Sequence, residues 1–222
     1  MIKRLYTWFH KAVAKDEEKD QPSGGVWPHV VRKGVLNICQ ATQGAVMEVG
    51  CGEGLFIRQL ALNNPGLKIT GVDNNSVKLE EAKRKCHELG LVNVNIIFAD
   101  AANIPVSAEC FNCVVCINVL LNLPSIEVVR SIIKEISRVC ACGGKFVFDF
   151  RNSANPVVNL KYRLAPYYDE TVKRDSLPLN TYSSKQITAL LSENKFKVIS
   201  RKYLGFPYNR LAPIIIIEAE KC

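Results

Sequence analysis

The segment Val46-Met-Glu-Val-Gly-Cys-Gly-Glu-Gly54 restricts the fold of this 222-residue chain more than any other feature. An apolar, strand-like run ends in three glycines at alternate positions, and helical spacing begins immediately afterwards. Gly50, Gly52 and Gly54 let the backbone turn sharply and offer its N–H groups to whatever approaches, because no Cβ stands in the way. A strand that runs into such a turn and then into a helix is the opening unit of a parallel α/β sheet.

The rest of the chain repeats the rhythm. Residues 46–50, 68–73, 94–98, 111–117 and 145–150 are short, apolar and mostly β-branched or aromatic, as strands buried on both faces must be. Helical spacing occupies residues 27–39, 54–64, 76–89 and 125–142, the last carrying Ile126, Val129, Ile132, Ile133, Ile136 and Val139 before a Gly143-Gly144 stop. Ser183 and Gln186 form a capping box for a further helix, and residues 196–203 and 213–219 read as a closing antiparallel pair. The expected fold is α/β: a Rossmann-like, doubly wound, mostly parallel seven-stranded sheet with a terminal antiparallel strand, in three α/β/α layers.

Residues 1–26 read as a basic amphipathic helix (Ile2, Leu5, Trp8, Phe9, Ala12 and Val13 at helical spacing) followed by a linker, and residues 27–222 as one domain. Residues 151–182 break the pattern with Pro156, Pro166 and Pro178, and we expect an irregular insertion that serves as a substrate lid. An apolar content of 48% with 23% charged residues suits one sizeable core and excludes collagen-like or disordered chains. No apolar run approaches the roughly 20 residues that span a bilayer, and no signal peptide is recognisable. Nine cysteines, an odd number, fit a reducing compartment, so a cytoplasmic location is expected.

Asp73 ends the second expected strand, 19 residues after Gly54. A carboxylate in that place of a doubly wound fold can accept both hydroxyl hydrogens of a ribose, which points to a nucleoside-type cofactor. The glycines run G-x-G-x-G after the acidic Glu48, whereas a dinucleotide fingerprint requires G-x-G-x-x-G. With this motif the chain resembles the class I S-adenosylmethionine-dependent methyltransferases, in their small-molecule branch typified by the type 11 methyltransferase domain. The resemblance continues in order through Phe98-Ala-Asp100, Phe111-Asn-Cys-Val-Val-Cys-Ile-Asn118 and Gly143-Gly-Lys-Phe-Val-Phe-Asp149, and covers residues 27–220. Asn112 departs from the family, which often places Asp there.

The resemblance implies S-adenosyl-L-methionine as cofactor and S-adenosyl-L-homocysteine as product. Gly50, Gly52, Gly54 and the Cys51 backbone would line the methionine portion, and Glu48 would orient the turn or the amino group. Asp73 and its neighbour Asn74 would hold the ribose, Asp100 and Ala101 would meet the adenine, and Asn118 would lie near the sulfonium. Where the acceptor must lose a proton, the candidate bases are Asp149, Tyr182, Tyr208 and His29. No metal is expected. In Cys110-x-x-Cys113-x-x-Cys116 the second and third thiols point to opposite faces of a strand, and the outer two lie roughly 20 Å apart.

A small-molecule acceptor, anionic or lipophilic, leads the readings. Nucleic acid ranks behind it, because Asn118-Val-Leu-Leu lacks the family's Asn-Pro-Pro-Tyr or Asp-Pro-Pro-Tyr motif. The alternatives are methylation of RNA or protein and a non-catalytic cofactor-binding protein. Peripheral membrane contact through the N-terminal helix is a further expectation. The net charge of +8 is uneven: residues 41–150 carry ten basic and eleven acidic side chains, residues 151–222 twelve and six. The excess thus falls outside the cofactor half, on the side expected to meet the substrate.

Overall fold

The computed structural model describes residues 26–169, 172–173 and 176–222. The expected amphipathic helix of residues 1–15 lies outside them. Helix α1 (Val26–Cys39) precedes β1 (Ala45–Val49), α2 (Leu55–Asn63), β2 (Lys68–Asp73), α3 (Ser76–Glu88) and β3 (Val94–Phe98). Then follow β4 (Phe111–Cys116), a 3-10 turn (Leu120–Asn122), α4 (Ile126–Val139), β5 (Cys140–Arg151), α5 (Pro156–Tyr168), α6 (Ser184–Glu193), β6 (Phe196–Leu204) and β7 (Ile214–Lys221). The strands form one seven-stranded sheet in the order β3-β2-β1-β4-β5-β7-β6. β1 to β5 are parallel neighbours, and β7 enters antiparallel between β5 and β6.

Alternation along the strands divides the core in two. Met47, Val114, Phe146 and Phe148 face α4 and α6, through Ile132, Ile136, Leu190 and Leu191. Their neighbours Val46, Cys113, Val115 and Val147 face α1, α2 and α3, through Val35, Phe56, Leu60 and Leu79. Cys113 and Cys116 accordingly lie in different cores, while Cys110 is exposed, so the spaced thiols face three different surroundings. Two of the helices illustrate side-chain capping: Asn75 Oδ1 accepts from Lys78 N at 3.1 Å, and Ser183 with Gln186 forms the expected capping box.

Two expectations need correction. The helix expected over residues 125–142 ends at Val139, and Cys140 already pairs with Phe111. Between that pair and the next one, Cys113 with Lys145, β5 carries three more residues than β4. The surplus turns at Gly143, whose φ is 70°, and at Gly144, where a Cβ would stand 2.8 Å from the Ala141 carbonyl oxygen. The two glycines therefore form a bulge inside a strand instead of stopping a helix. The second correction concerns residues 151–182, whose first half is not irregular. Asn155 Oδ1 accepts from Val158 N at 2.9 Å and caps α5, with Pro156 in the first turn, where its missing N–H costs nothing.

Candidate functional site

β1, β2 and β4 all deliver their C-terminal ends to one edge of the sheet, and the glycine turn lies there. Gly50, Gly52 and Gly54 have φ of 79°, 50° and 74°. Gly50 N and Cys51 N donate to the Val72 carbonyl at 2.7 and 3.0 Å, which staples the turn to β2. A Cβ on Gly50 would fall 2.3 Å from Val119 Cγ2, so packing alone demands glycine there. Gly52 is different: a Cβ would meet nothing closer than Lys78 Cδ at 3.9 Å. Its surroundings are open, as a cradle for a ligand must be.

Asp73 joins the cradle to the next helix. Its Oδ2 accepts from Gly52 N at 2.8 Å and its Oδ1 from Asn75 N at 2.9 Å. Each carboxylate oxygen can accept more than one hydrogen bond, so ribose hydroxyls can still be received at this half-buried position. Asn74 beside it is exposed, and the buried Cys51 takes part through its backbone.

Glu48 is 4% exposed, and its Oε2 makes no hydrogen bond. Burial raises its carboxyl from the usual range to about 8; the nearby Arg32 opposes this, the Asp73 carboxylate adds to it, and the Ile57 backbone N–H opposes it. Arg32 is itself buried, on α1. An acidic group with an unsatisfied oxygen behind a glycine cradle suits a ligand carrying an ammonium group. Open space at Gly52, the Asp73 acceptor and the Glu48 carboxyl together fit the methionine and ribose portions of S-adenosylmethionine.

Further along the same edge the polar groups satisfy one another. Asn118, in the left-handed region at φ 56°, follows β4, and its N–H donates to Asp149 Oδ1 at 2.6 Å. Asp149 Oδ2 accepts from Arg151, whose second terminal nitrogen donates to Asn118 Oδ1 at 2.8 Å. Arg151 Nε donates to the Tyr162 hydroxyl, on α5, at 2.9 Å. Burial acts to lower the Arg151 pKa, but the Asp149 carboxylate and Tyr162 outweigh it, and the guanidinium stays charged. The Asn118 oxygen is thus committed, and its amide N–H2 is the group left to present.

Residues 46–144 match the family model of a methyltransferase domain. The magnesium protoporphyrin IX methyltransferase of Synechocystis PCC 6803, solved with bound SAH, superposes with a TM-score of 0.68 at 18% identity, over 87% of this chain and 83% of that one. Over residues 46–144 the chain is similar to methyltransferase domains, and its fold is that of the solved S-adenosylmethionine-dependent methyltransferases. The same fold appears in the [4+2]-cyclase SpnF, with a TM-score of 0.68 at 18% identity, over 91% of this chain and 85% of that one. Two curated proteins match over short stretches. The ribosomal RNA small subunit methyltransferase C of Aeromonas hydrophila is 48% identical over 44 residues, 20% of this chain and 13% of that protein. The tRNA (guanine-N(7)-)-methyltransferase of Metamycoplasma hominis is 32% identical over 62 residues, 28% of this chain and 31% of that protein.

The other expected residues lie as follows. Asp100 is exposed, its Oδ1 accepting from Ala102 N at 2.8 Å, with the half-buried Ala101 between them. The turn they form follows β3, whose neighbour β2 ends in Asp73. The four candidate bases differ in their surroundings. Tyr182 is buried and its hydroxyl donates to the Leu120 carbonyl at 2.9 Å, so it locks the chain after α5 onto the turn after β4. Asp149 is held on both oxygens and serves as an anchor. Tyr208 is 69% exposed on the β6–β7 loop, and His29 is half-buried on α1, one turn before Arg32.

Sequence reasoning offers no signal for Arg32, whereas it places Tyr162 among the residues that could wall the substrate pocket and allows a salt bridge between Asp149 and Arg151. A signal existed for Arg151: charged residues two apart at the end of a strand point the same way, so Asp149 and Arg151 share a face. For Arg32 and Tyr162 the contacts are made across the fold, and no local pattern announces them.

Proposed function

We propose that this protein binds S-adenosyl-L-methionine in the Gly50–Gly54 cradle and transfers its methyl group to a small-molecule acceptor. The observation that carries the reading is the cradle itself: a left-handed Gly52 facing open space, its N–H held by the carboxylate of Asp73. When bound, the cofactor supplies an activated methyl group on a sulfonium, so the protein's task is alignment and exclusion of water. Asp73 receives the ribose hydroxyls, and Glu48 lies behind the turn with a carboxylate oxygen to offer an ammonium. Asp100 and Ala101 flank the adenine.

On the acceptor side Asp149 and Arg151 fix Asn118 from the backbone and the side chain at once, which keeps its amide in one orientation beneath the reacting centre. With Asp149 and Tyr182 engaged in structural hydrogen bonds, transfer proceeds without a buried protein base, to an acceptor atom that reaches the site already nucleophilic. Residues 151–182, with α5 at their centre, act as the lid, and Tyr162 ties that lid to Arg151.

A second reading has one observation in its favour: both curated proteins with matching stretches are RNA methyltransferases. The short span of those stretches and the sequence after Asn118 weigh for a small molecule. Incubating the protein and methyl-labelled cofactor with a metabolite extract and, separately, with total RNA distinguishes the two. Label in a small organic product supports the proposal, label in RNA replaces it, and transfer to neither in a protein that binds the cofactor makes it a non-catalytic binder.

A further inference from the structure

Helix α5 has an inner and an outer face. Val158 and Ala165 are buried, and Tyr162 reaches Arg151 from that side. On the outer side Val157, Leu160, Leu164 and Tyr167 recur at i, i+3, i+7 and i+10, and all are exposed, Tyr167 to 86%. Helical periodicity places the four on one stripe, with the exposed Lys161 and Arg163 on its two flanks.

The stripe does not end with the helix. Asn155 Nδ2, at the start of α5, donates to the Leu211 carbonyl at 2.8 Å. Asn152 Nδ2 donates to the carbonyls of Arg210 and Ala212 at 2.9 and 2.8 Å. These bonds hold the β6–β7 loop against the beginning of α5. That loop exposes Phe206, Tyr208 and Leu211, Phe206 to 83%, and carries the exposed Arg210. Leu204 and Ile214 pair at the level of Arg151, so the loop and α5 both leave the edge of the sheet that holds the cradle.

Apolar side chains scattered singly over a surface need no explanation, but a continuous patch marks an interaction site. An apolar stripe flanked by basic side chains suits a helix lying in the plane of a bilayer interface, where Lys and Arg stems reach along the apolar face to the headgroup phosphates. The charge selects the lipid, since the exposed basic side chains on the patch are Lys161 and Arg163 on α5 and Arg210 on the loop. We infer that the outer face of α5 and the β6–β7 loop dock onto the surface of an anionic phospholipid bilayer. The docked orientation turns the substrate edge of the domain toward the membrane and gives access to lipophilic acceptors. The docking surface rests on the exposed patch, and only that consequence for the acceptor rests on the methyl-transfer reading.

The test is co-sedimentation of the full chain, without cofactor, with phosphatidylcholine vesicles and with vesicles containing about 30 mol% phosphatidylglycerol. Saturable binding that prefers the anionic vesicles and weakens with salt is expected. Leu160→Glu combined with Tyr167→Glu should reduce it at least about tenfold, and Arg163→Glu about fivefold or more on anionic vesicles alone. Circular dichroism and cofactor affinity should be unchanged in these surface variants. No association of the wild type, or association indifferent to the stripe substitutions, overturns the inference; the latter assigns binding to another part of the chain. A dimer that Leu160→Glu dissociates overturns it too, with a second copy as the occupant. Cofactor titration in solution is independent of all these outcomes, so failure here and failure of the methyl-transfer reading remain distinguishable.

Discussion

Two buried carboxylates near the same edge of the sheet, Glu48 on β1 and Asp149 on β5, are treated in opposite ways by their surroundings. Asp149 receives a hydrogen bond on each oxygen, from Asn118 N–H and from Arg151, and is closed. Glu48 keeps an oxygen without a hydrogen bond, next to a glycine turn with open space at Gly52. A buried acid whose lone pairs are matched by the protein holds architecture in place. One left partly unmatched carries a proton at neutral pH or waits for a cation. The difference separates the anchoring half of the site from the half proposed to receive the ligand.

The contrast can be tested first through pH. Glu48 is raised from 4.5 to about 8, so the unfolded chain ionises there while the folded protein still holds the proton. Its contribution therefore destabilises progressively as pH rises from the unfolded value, and the loss is complete above the folded one. By linkage the loss amounts to about 5 kcal/mol between about pH 5 and about pH 8. Urea unfolding of the cofactor-free protein over that window should show the decline, and Glu48→Gln should flatten it. A wild type as steep as the variant would show that Glu48 is not the source.

Asp149→Ala comes next. It strands the Arg151 charge in the interior and should cost about 3–5 kcal/mol, measured by the same denaturant titration. A cost below about 1 kcal/mol would mean that the cluster is wetter than its burial indicates and would weaken the contrast. Asp73→Ala removes an acceptor that holds both Gly52 N–H and Asn75 N–H. Cofactor affinity should fall about tenfold to a hundredfold, and stability should fall as well, since each hydrogen bond to a charged group contributes about 1.5–3 kcal/mol. Unchanged affinity would remove Asp73 from the ligand's surroundings.

The positions of the half proposed to receive the ligand are the more legible ones in the sequence. Gly50, Gly52 and Gly54 sit at fixed spacing from Glu48, and Asp73 ends the next strand; each position follows from local chain direction, which periodicity reveals. The alternation of strands and helices likewise follows from apolar spacing, and β7 entering antiparallel was readable from the two closing strands. What was not legible depended on local signals read with the wrong weight, or on contacts between distant segments. Pro156 reads as a break, whereas Asn155 before it makes it a helix start. Gly143-Gly144 reads as a helix stop, although the β-branched and aromatic run after it continues a strand through a bulge. Tyr182 looked like a chemical group, and only the position of the Leu120 carbonyl shows that its hydroxyl is a structural bond. The Arg151–Tyr162 contact needed α5 to exist before it could be foreseen.

The most direct measurement is a calorimetric titration of S-adenosylmethionine into the wild-type protein and into Gly52→Val. Gly52 has open space around it, so the variant should fold with only the cost of its left-handed φ, about 1–2 kcal/mol. The account predicts saturable one-to-one binding to the wild type and a loss of at least about a hundredfold, or about 2.7 kcal/mol, in the folded variant. No binding to the folded wild type, or near-normal affinity in folded Gly52→Val, would contradict the assignment of this turn as the cofactor cradle.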